Sequence, residues 1–134
     1  MKSGTDFGRE AACSQRRVGS FLETLSAVEN RVNFVNFRRE DRAQAKELCL
    51  IIAEIERLPD TYDVQIAGEK LPAEMVREIF RMVEHEHIEM VIENFKKERR
   101  EIAFKKSYLR TAIYNSVFEL ESHYINQVNA DWGG

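Results

Sequence analysis

Leu48-Cys49-Leu50-Ile51-Ile52-Ala53 decides the fold. A helix that is apolar almost all round has no face left for water, so this segment is expected to be the most buried element. Asp41 is the expected cap of that helix, because a carboxylate there accepts orphan backbone N–H bonds and suits the dipole. Pro59-Asp60 ends it, which places the helix from Asp41 to about Leu58. Cys49 within it is read as a packing residue.

Working outward toward the N-terminus, Val18, Phe21, Leu22, Leu25 and Val28 recur at three- and four-residue steps, one apolar stripe of an amphipathic helix. Asn30 is its expected stop. Arg31-Val32-Asn33-Phe34-Val35-Asn36-Phe37 changes character, and its β-branched and aromatic near-alternation predicts an extended piece over 32–37. Residues 1–15 carry Gly, Ser, Thr and charge without apolar rhythm and are expected to be a flexible lead-in. Residues 16–134 then form a single helical domain.

Toward the C-terminus, Tyr62, Val64 and Ile66 alternate and Gly68 supplies a turn, which predicts a strand over 62–67 paired with the 32–37 piece. Pro72 reads as a first helical residue with Glu74 in the first turn. Met75, Ile79 and Met82, with Val76, Phe80 and Val83, carry that helix to about 83. Ile88, Val91, Ile92 and Phe95 define the next. Phe104 and Tyr108 open the last helical region. There Leu109, Ile113, Val117, Leu120, Tyr124 and Val128 average slightly more than 3.6 residues apart, so a break is expected near Asn115-Ser116, with Ser116 capping a final helix. The predicted fold is mainly α: a compact bundle of five or six helices with a short two-stranded β-ribbon.

With 134 residues the chain fits one domain. No run approaches the ~18–20 apolar residues that span a bilayer, and the start lacks an apolar signal core, so a cytoplasmic protein with no membrane partner is expected. Two lone cysteines, Cys13 and Cys49, make neither a CxxC site nor a disulfide framework. The net charge of −3 is unevenly spread. Residues 1–40 hold 7 cations and 5 anions, residues 41–94 hold 6 and 13, residues 95–110 hold 7 and 2, and the remainder holds 3 anions. Such separation can orient a partner at long range.

Catalytic patterns are scarce. Glu84-His85-Glu86-His87-Ile88-Glu89 contains Glu84-x-x-His87, half of a di-metal carboxylate motif, but the second half is missing. His85 and His87 would project on opposed sides of a helix, so neither a metal nor another cofactor is expected. His123 beside Tyr124 reads as a half-buried hydrogen-bonding histidine. There is no G-x-S-x-G, G-x-G-x-x-G or P-loop, so no enzyme activity and no catalytic residue is expected.

The strongest feature is cationic: Lys96-Lys97-Glu98-Arg99-Arg100, continued by Lys105, Lys106 and Arg110. Three readings fit it: solvated charge that favours a helix C-terminus, phosphate contact, and docking on an acidic protein surface. Arg16-Arg17 and Arg38-Arg39 could join such a patch. Tyr108, Tyr114 and Trp132 are the amphipathic aromatics that could anchor a partner.

Five segments carry a family resemblance: Val64-Gln65-Ile66-Ala67-Gly68-Glu69, Pro72-Ala73-Glu74-Met75-Val76, His87-Ile88-Glu89-Met90-Val91, Lys106 through Asn115, and Tyr124 to Asp131. In that order and spacing, residues 41–132 resemble the C-terminal domain of RepA-type replication initiators of plasmids and conjugative elements from Gram-positive bacteria. The Tyr108 segment distantly resembles the last-helix motif of DnaD-like primosomal proteins, although Ser116 stands where those carry Trp. The initiators usually place Pro after the Asn matching Asn115, another departure. The resemblance implies a C-terminal domain that engages host replication machinery, with DNA as a further candidate, whereas the origin-binding winged helix of such initiators has no room in this chain.

The sequence therefore predicts a non-enzymatic helical adaptor of a mobile-element replication protein. Its partner would be a host replication protein or another nucleic-acid-processing protein, with DNA as a further candidate. Lys96, Lys97, Arg99, Arg100, Lys105, Lys106 and Arg110 would form the contact surface, and Tyr108, Tyr114 and Trp132 the anchors. The alternative is a free-standing mobile-element inhibitor of a host nucleic-acid-processing complex, such as an anti-CRISPR protein.

Overall fold

The computed structural model describes residues 19–98 and 102–133, with side chains through Glu121. Five α-helices and one β-hairpin make up the described residues: α1 (19–31), α2 (Arg42–Glu56), β1 (Asp63–Ile66), β2 (Glu69–Pro72), α3 (Ala73–Arg81), α4 (His85–Lys97) and α5 (Lys105–Gly133). This is the helical bundle with a small ribbon that the apolar periodicity predicts. The expected flexible lead-in, residues 1–15, lies outside the described residues. No helix among the described residues is long and apolar enough to cross a membrane.

Helix α2 lies at the centre, with Ala45, Leu48, Cys49, Ile51, Ile52, Ala53 and Ile55 all buried. Around it pack Leu25, Val28 and Val32 from α1 and the turn after it, Val76 and Phe80 from α3, Ile88, Val91 and Ile92 from α4, and Leu109, Ile113 and Val117 from α5. Arg31 ties three elements together. Its guanidinium pairs with Glu56 Oε1 at 2.9 Å and donates to the carbonyls of Phe80, in the last turn of α3, and of Val83, just beyond it.

Four local expectations need correction. Segment 32–37 is not a strand and does not pair with β1. Asn33 adopts φ 54 and ψ 54, a left-handed conformation that Asn tolerates, and it turns the chain into a 3-10 turn at Phe34–Asn36. The partner of β1 is instead its neighbour β2, antiparallel, with Val64 opposite Leu71 and Ile66 opposite Glu69. The two-residue loop Ala67-Gly68 has φ 52 and φ 84, the doubly positive pattern that matches strand twist in tight hairpins. Local closure of this kind needs no long-range pairing, so it prevails.

Asp41 does not cap α2. Its backbone is helical, it makes no side-chain cap bond, and its carboxylate turns to Lys96. Pro72 ends β2 and sits just before α3 instead of within it. Helix α5 runs unbroken through Asn115-Ser116. Ser116 is buried and its hydroxyl donates to the Ile113 carbonyl at 2.6 Å, a bond made inside a continuing helix.

The hairpin turn yields a test. Ala67 holds a positive φ that costs a non-glycine residue about 1 kcal/mol, and Asn tolerates that region. Ala67→Asn is expected to raise unfolding stability by about 0.5–1 kcal/mol. Gly68→Ala, whose new Cβ meets nothing within 4 Å, is expected to lower it by about 1 kcal/mol through backbone strain alone. Urea denaturation of both variants measures the two shifts.

Candidate interaction surface

Two of the resembling segments meet in space. The backbone N–H of Ala67, at the hairpin tip, donates to Thr111 Oγ1 on α5 at 3.1 Å. Arg110 Nη1 reaches the Gln65 carbonyl at 3.4 Å. These bonds lean α5 against the open edge of β1, which would otherwise present bare backbone groups. Between hairpin and helix lies a groove of about 670 Å³ whose walls include Gln65, Ala67, Ile102, Phe104, Tyr108 and Thr111. Phe104 is 79% exposed, the most exposed large apolar side chain described. Tyr108 is half-buried against Phe95, ring centroids 6.2 Å apart.

The predicted cationic residues divide. Lys96 pairs with Asp41 at 2.7 Å and with Glu93 at 3.5 Å, and its hydrogen bond to Asp41 holds the ammonium above the usual lysine pKa. Lys105 pairs with Glu47 at 3.0 Å and Lys106 with Glu54 at 2.6 Å, both on α2. Lys105 also lies 5.2 Å from the centre of the Phe95 ring. Lys97 is exposed and makes no ion pair among the described residues. Arg110 points along β1, with its Nε shielded from water and unpartnered. Arg99 and Arg100 lie outside the described residues, as do Arg16 and Arg17.

Of the expected anchors, Tyr108 lines the groove. Tyr114 is half-buried against the core and packs on Phe118 at 5.2 Å. The backbone of Trp132 is helical within α5, and its side chain lies outside the described residues, as does that of His123. Residue-type reasoning did not single out Phe104, which the structure leaves exposed beside the groove. Its signal was a phenylalanine directly before the two lysines that begin α5, at a position the buried stripe of that helix does not need.

The histidines take structural posts. Glu84 and His87 form a capping box at the start of α4: the Glu84 carboxylate accepts the His87 backbone N–H, and the Glu84 backbone N–H donates to His87 Nδ1 at 2.9 Å. The Glu-x-x-His spacing thus serves a helix start. His85 Nδ1 lies 2.8 Å from the Val32 carbonyl, its Nε2 lies 2.7 Å from Glu89 Oε1, and its ring stacks on Phe37 at 4.1 Å. No group of three or more metal-ligating side chains occurs among the described residues.

Burial pushes the pKa of His87 below its ordinary value of 6.5, against the opposing pull of Glu84 and Glu86. Above 6.5 the ring is neutral folded and unfolded, and its contribution to stability is complete. As pH falls below 6.5 the unfolded chain takes up a proton that the folded chain resists, so stability declines until the folded value is passed. A proton on Nδ1 would also remove the acceptor of the capping box. His87→Gln keeps an acceptor at this position without titrating, so the variant is expected to lose less stability than the parent between pH 7 and pH 5. Thermal unfolding of both across that range measures the difference.

Among known protein families, one model matches residues 5–134, that of a family of unknown function, DUF6017. No curated protein and no solved structure matches the chain.

Proposed function

We propose, for a chain that belongs to the DUF6017 family, a non-catalytic role as the adaptor domain of a mobile-element replication protein. The partner is a host replication-initiation protein, and it docks at the corner where α4 passes into α5. One observation carries this reading: the hairpin segment and the Lys106–Asn115 segment, forty residues apart in sequence, build the two walls of a single groove beside the exposed Phe104. The link to replication rests on the resemblance of residues 41–132 to the C-terminal domain of RepA-type initiators, carried by five segments in similar order and spacing.

Contact of this kind draws mainly on apolar burial. An exposed aromatic beside a groove gains free energy when a partner covers it, and aromatic anchors dominate many interfaces. The lysines around it are largely paired with α2, so they orient an approaching partner more than they bind it. DNA contact is the secondary part of the proposal, through Lys97 and its cationic neighbours.

Phe104→Asp is expected to reduce capture of replication-initiation proteins from host lysate at least tenfold, with the melting temperature unchanged because the side chain is exposed. Undiminished capture, or capture only of a defence nuclease, would refute the adaptor role. For DNA, fluorescence anisotropy with single- and double-stranded oligonucleotides is expected to show weak binding at low salt that vanishes at physiological salt. No binding even at low salt eliminates the nucleic-acid part.

A further inference from the structure

Arg38-Arg39, which the sequence offers as an addition to the cationic segment, falls beside the end of α4. Asp41 is the reason. It closes the 3-10 turn Arg39–Asp41, and its backbone N–H donates to the Arg38 carbonyl at 2.9 Å. Its largely buried carboxylate holds Lys96, on the last turn of α4, at 2.7 Å. Arg38 and Asp41 also share the wall of a small pocket with Glu93 of α4. The pairing therefore sets Arg38, Arg39 and Arg42, which follow one another within a turn of the chain, on the same corner as Lys97.

These four cations differ from most of their kind in being free. Arg31, Lys46, Arg77, Lys96, Lys105 and Lys106 each hold a carboxylate. Arg38, Arg39, Arg42 and Lys97 are exposed, and none makes an ion pair among the described residues. Arg42 donates from Nε to the Phe37 carbonyl at 3.3 Å and from Nη2 to the Val35 carbonyl at 3.4 Å. Those bonds fix the guanidinium and leave its charge whole. Of the carboxylates nearby, Asp41 and Glu93 are both engaged by Lys96, Glu89 by His85, and Glu98 has a partner of its own. Exposed Glu40 is left to oppose the four.

We propose that Arg38, Arg39, Arg42 and Lys97 are the surface through which the chain contacts the phosphodiester backbone of a nucleic acid. The inference rests on the nucleic-acid part of the reading above and deepens it: the cationic neighbours of Lys97 in that contact are the arginines before α2, and the paired lysines of α5 are not needed. A phosphate at this corner displaces no carboxylate, and a forked guanidinium matches two phosphate oxygens at once. Charge suffices to bind a phosphate backbone, through the counterions it releases. A protein partner needs an apolar centre as well, which these side chains do not supply. Such contact is indifferent to base sequence and weakens steeply with salt.

Fluorescence anisotropy of the full chain with labelled single-stranded and duplex oligonucleotides, across a range of salt, tests this. Arg38→Ala combined with Arg39→Ala is expected to weaken low-salt binding about tenfold and to lower the salt slope by about two. Lys70→Ala combined with Arg81→Ala removes the same charge from exposed positions elsewhere and is expected to leave the slope unchanged. All four positions are exposed, so circular dichroism should match the parent in both double variants. A parent that binds DNA while the Arg38/Arg39 variant binds equally well overturns the inference and leaves DNA contact in place elsewhere on the chain. Equal losses in the two double variants also overturn it, because net charge would then account for the binding. Polyglutamate that displaces the oligonucleotide as well as unlabelled DNA of the same charge assigns the corner to an acidic protein instead. A parent that binds no DNA at low salt removes both the inference and the nucleic-acid part of the proposed function, while capture through Phe104 stands or falls by its own test.

Discussion

Helix α2 has almost no polar face, and the rest of the chain is arranged to cover it. Seven of its residues are buried, and α3, α4, α5 and the 3-10 turns Phe34–Asn36 and Arg39–Asp41 lie against it. A short domain gains most of its stability from one such core, so an element that must be enclosed on several sides dictates where its neighbours go. The polar residues of α2 are confined to its rim, and there they reach outward in pairs: Lys46 to Glu29, Glu56 to Arg31, Glu47 to Lys105 and Glu54 to Lys106. Burial holds α1 and α5 against α2. The rim charges, each contributing at most about 1 kcal/mol when exposed, fix how far along α2 they sit.

That arrangement explains which parts of the fold could be read in advance. Apolar runs and stripes report burial directly, so α2 and the helices packed on it were legible. So was β1, from the alternation of Val64 and Ile66. Asn33 was not, because a single left-handed residue redirects a β-rich stretch and leaves no periodic trace. Asp41 resembles a cap in sequence, yet Lys96, fifty-five residues later, takes its carboxylate. Competition between a local and a distant partner is settled only once the chain is folded.

Helix α5 is the instructive half-success. Its apolar positions do drift around the axis, as their spacing requires. Leu109, Ile113 and Val117 are buried, whereas Leu120 is half-buried and Phe118 is 46% exposed. The consequence of the drift is a helix whose apolar stripe leaves the core, with no break in the backbone. A continuous run of hydrogen bonds tolerates some exposed apolar surface more readily than it tolerates the unpaired backbone groups of a break. A groove at Met82, Val117 and Leu120 follows from the same drift.

The candidate surface was half legible for a related reason. Charge is visible in sequence and charge pairing is not. Among the described cations of the 95–110 segment, Lys96, Lys105 and Lys106 already hold carboxylates, Arg110 leans on a backbone carbonyl, and neither Arg110 nor Lys97 makes an ion pair with a described residue. A phosphate chain would have to displace Asp41, Glu47 and Glu54 from those lysines while being repelled by the same carboxylates. An apolar anchor has no such competitor: Phe104 is already in water, and covering it only releases that water. The pairing of these lysines therefore favours apolar contact over phosphate contact in the docking role proposed for this corner.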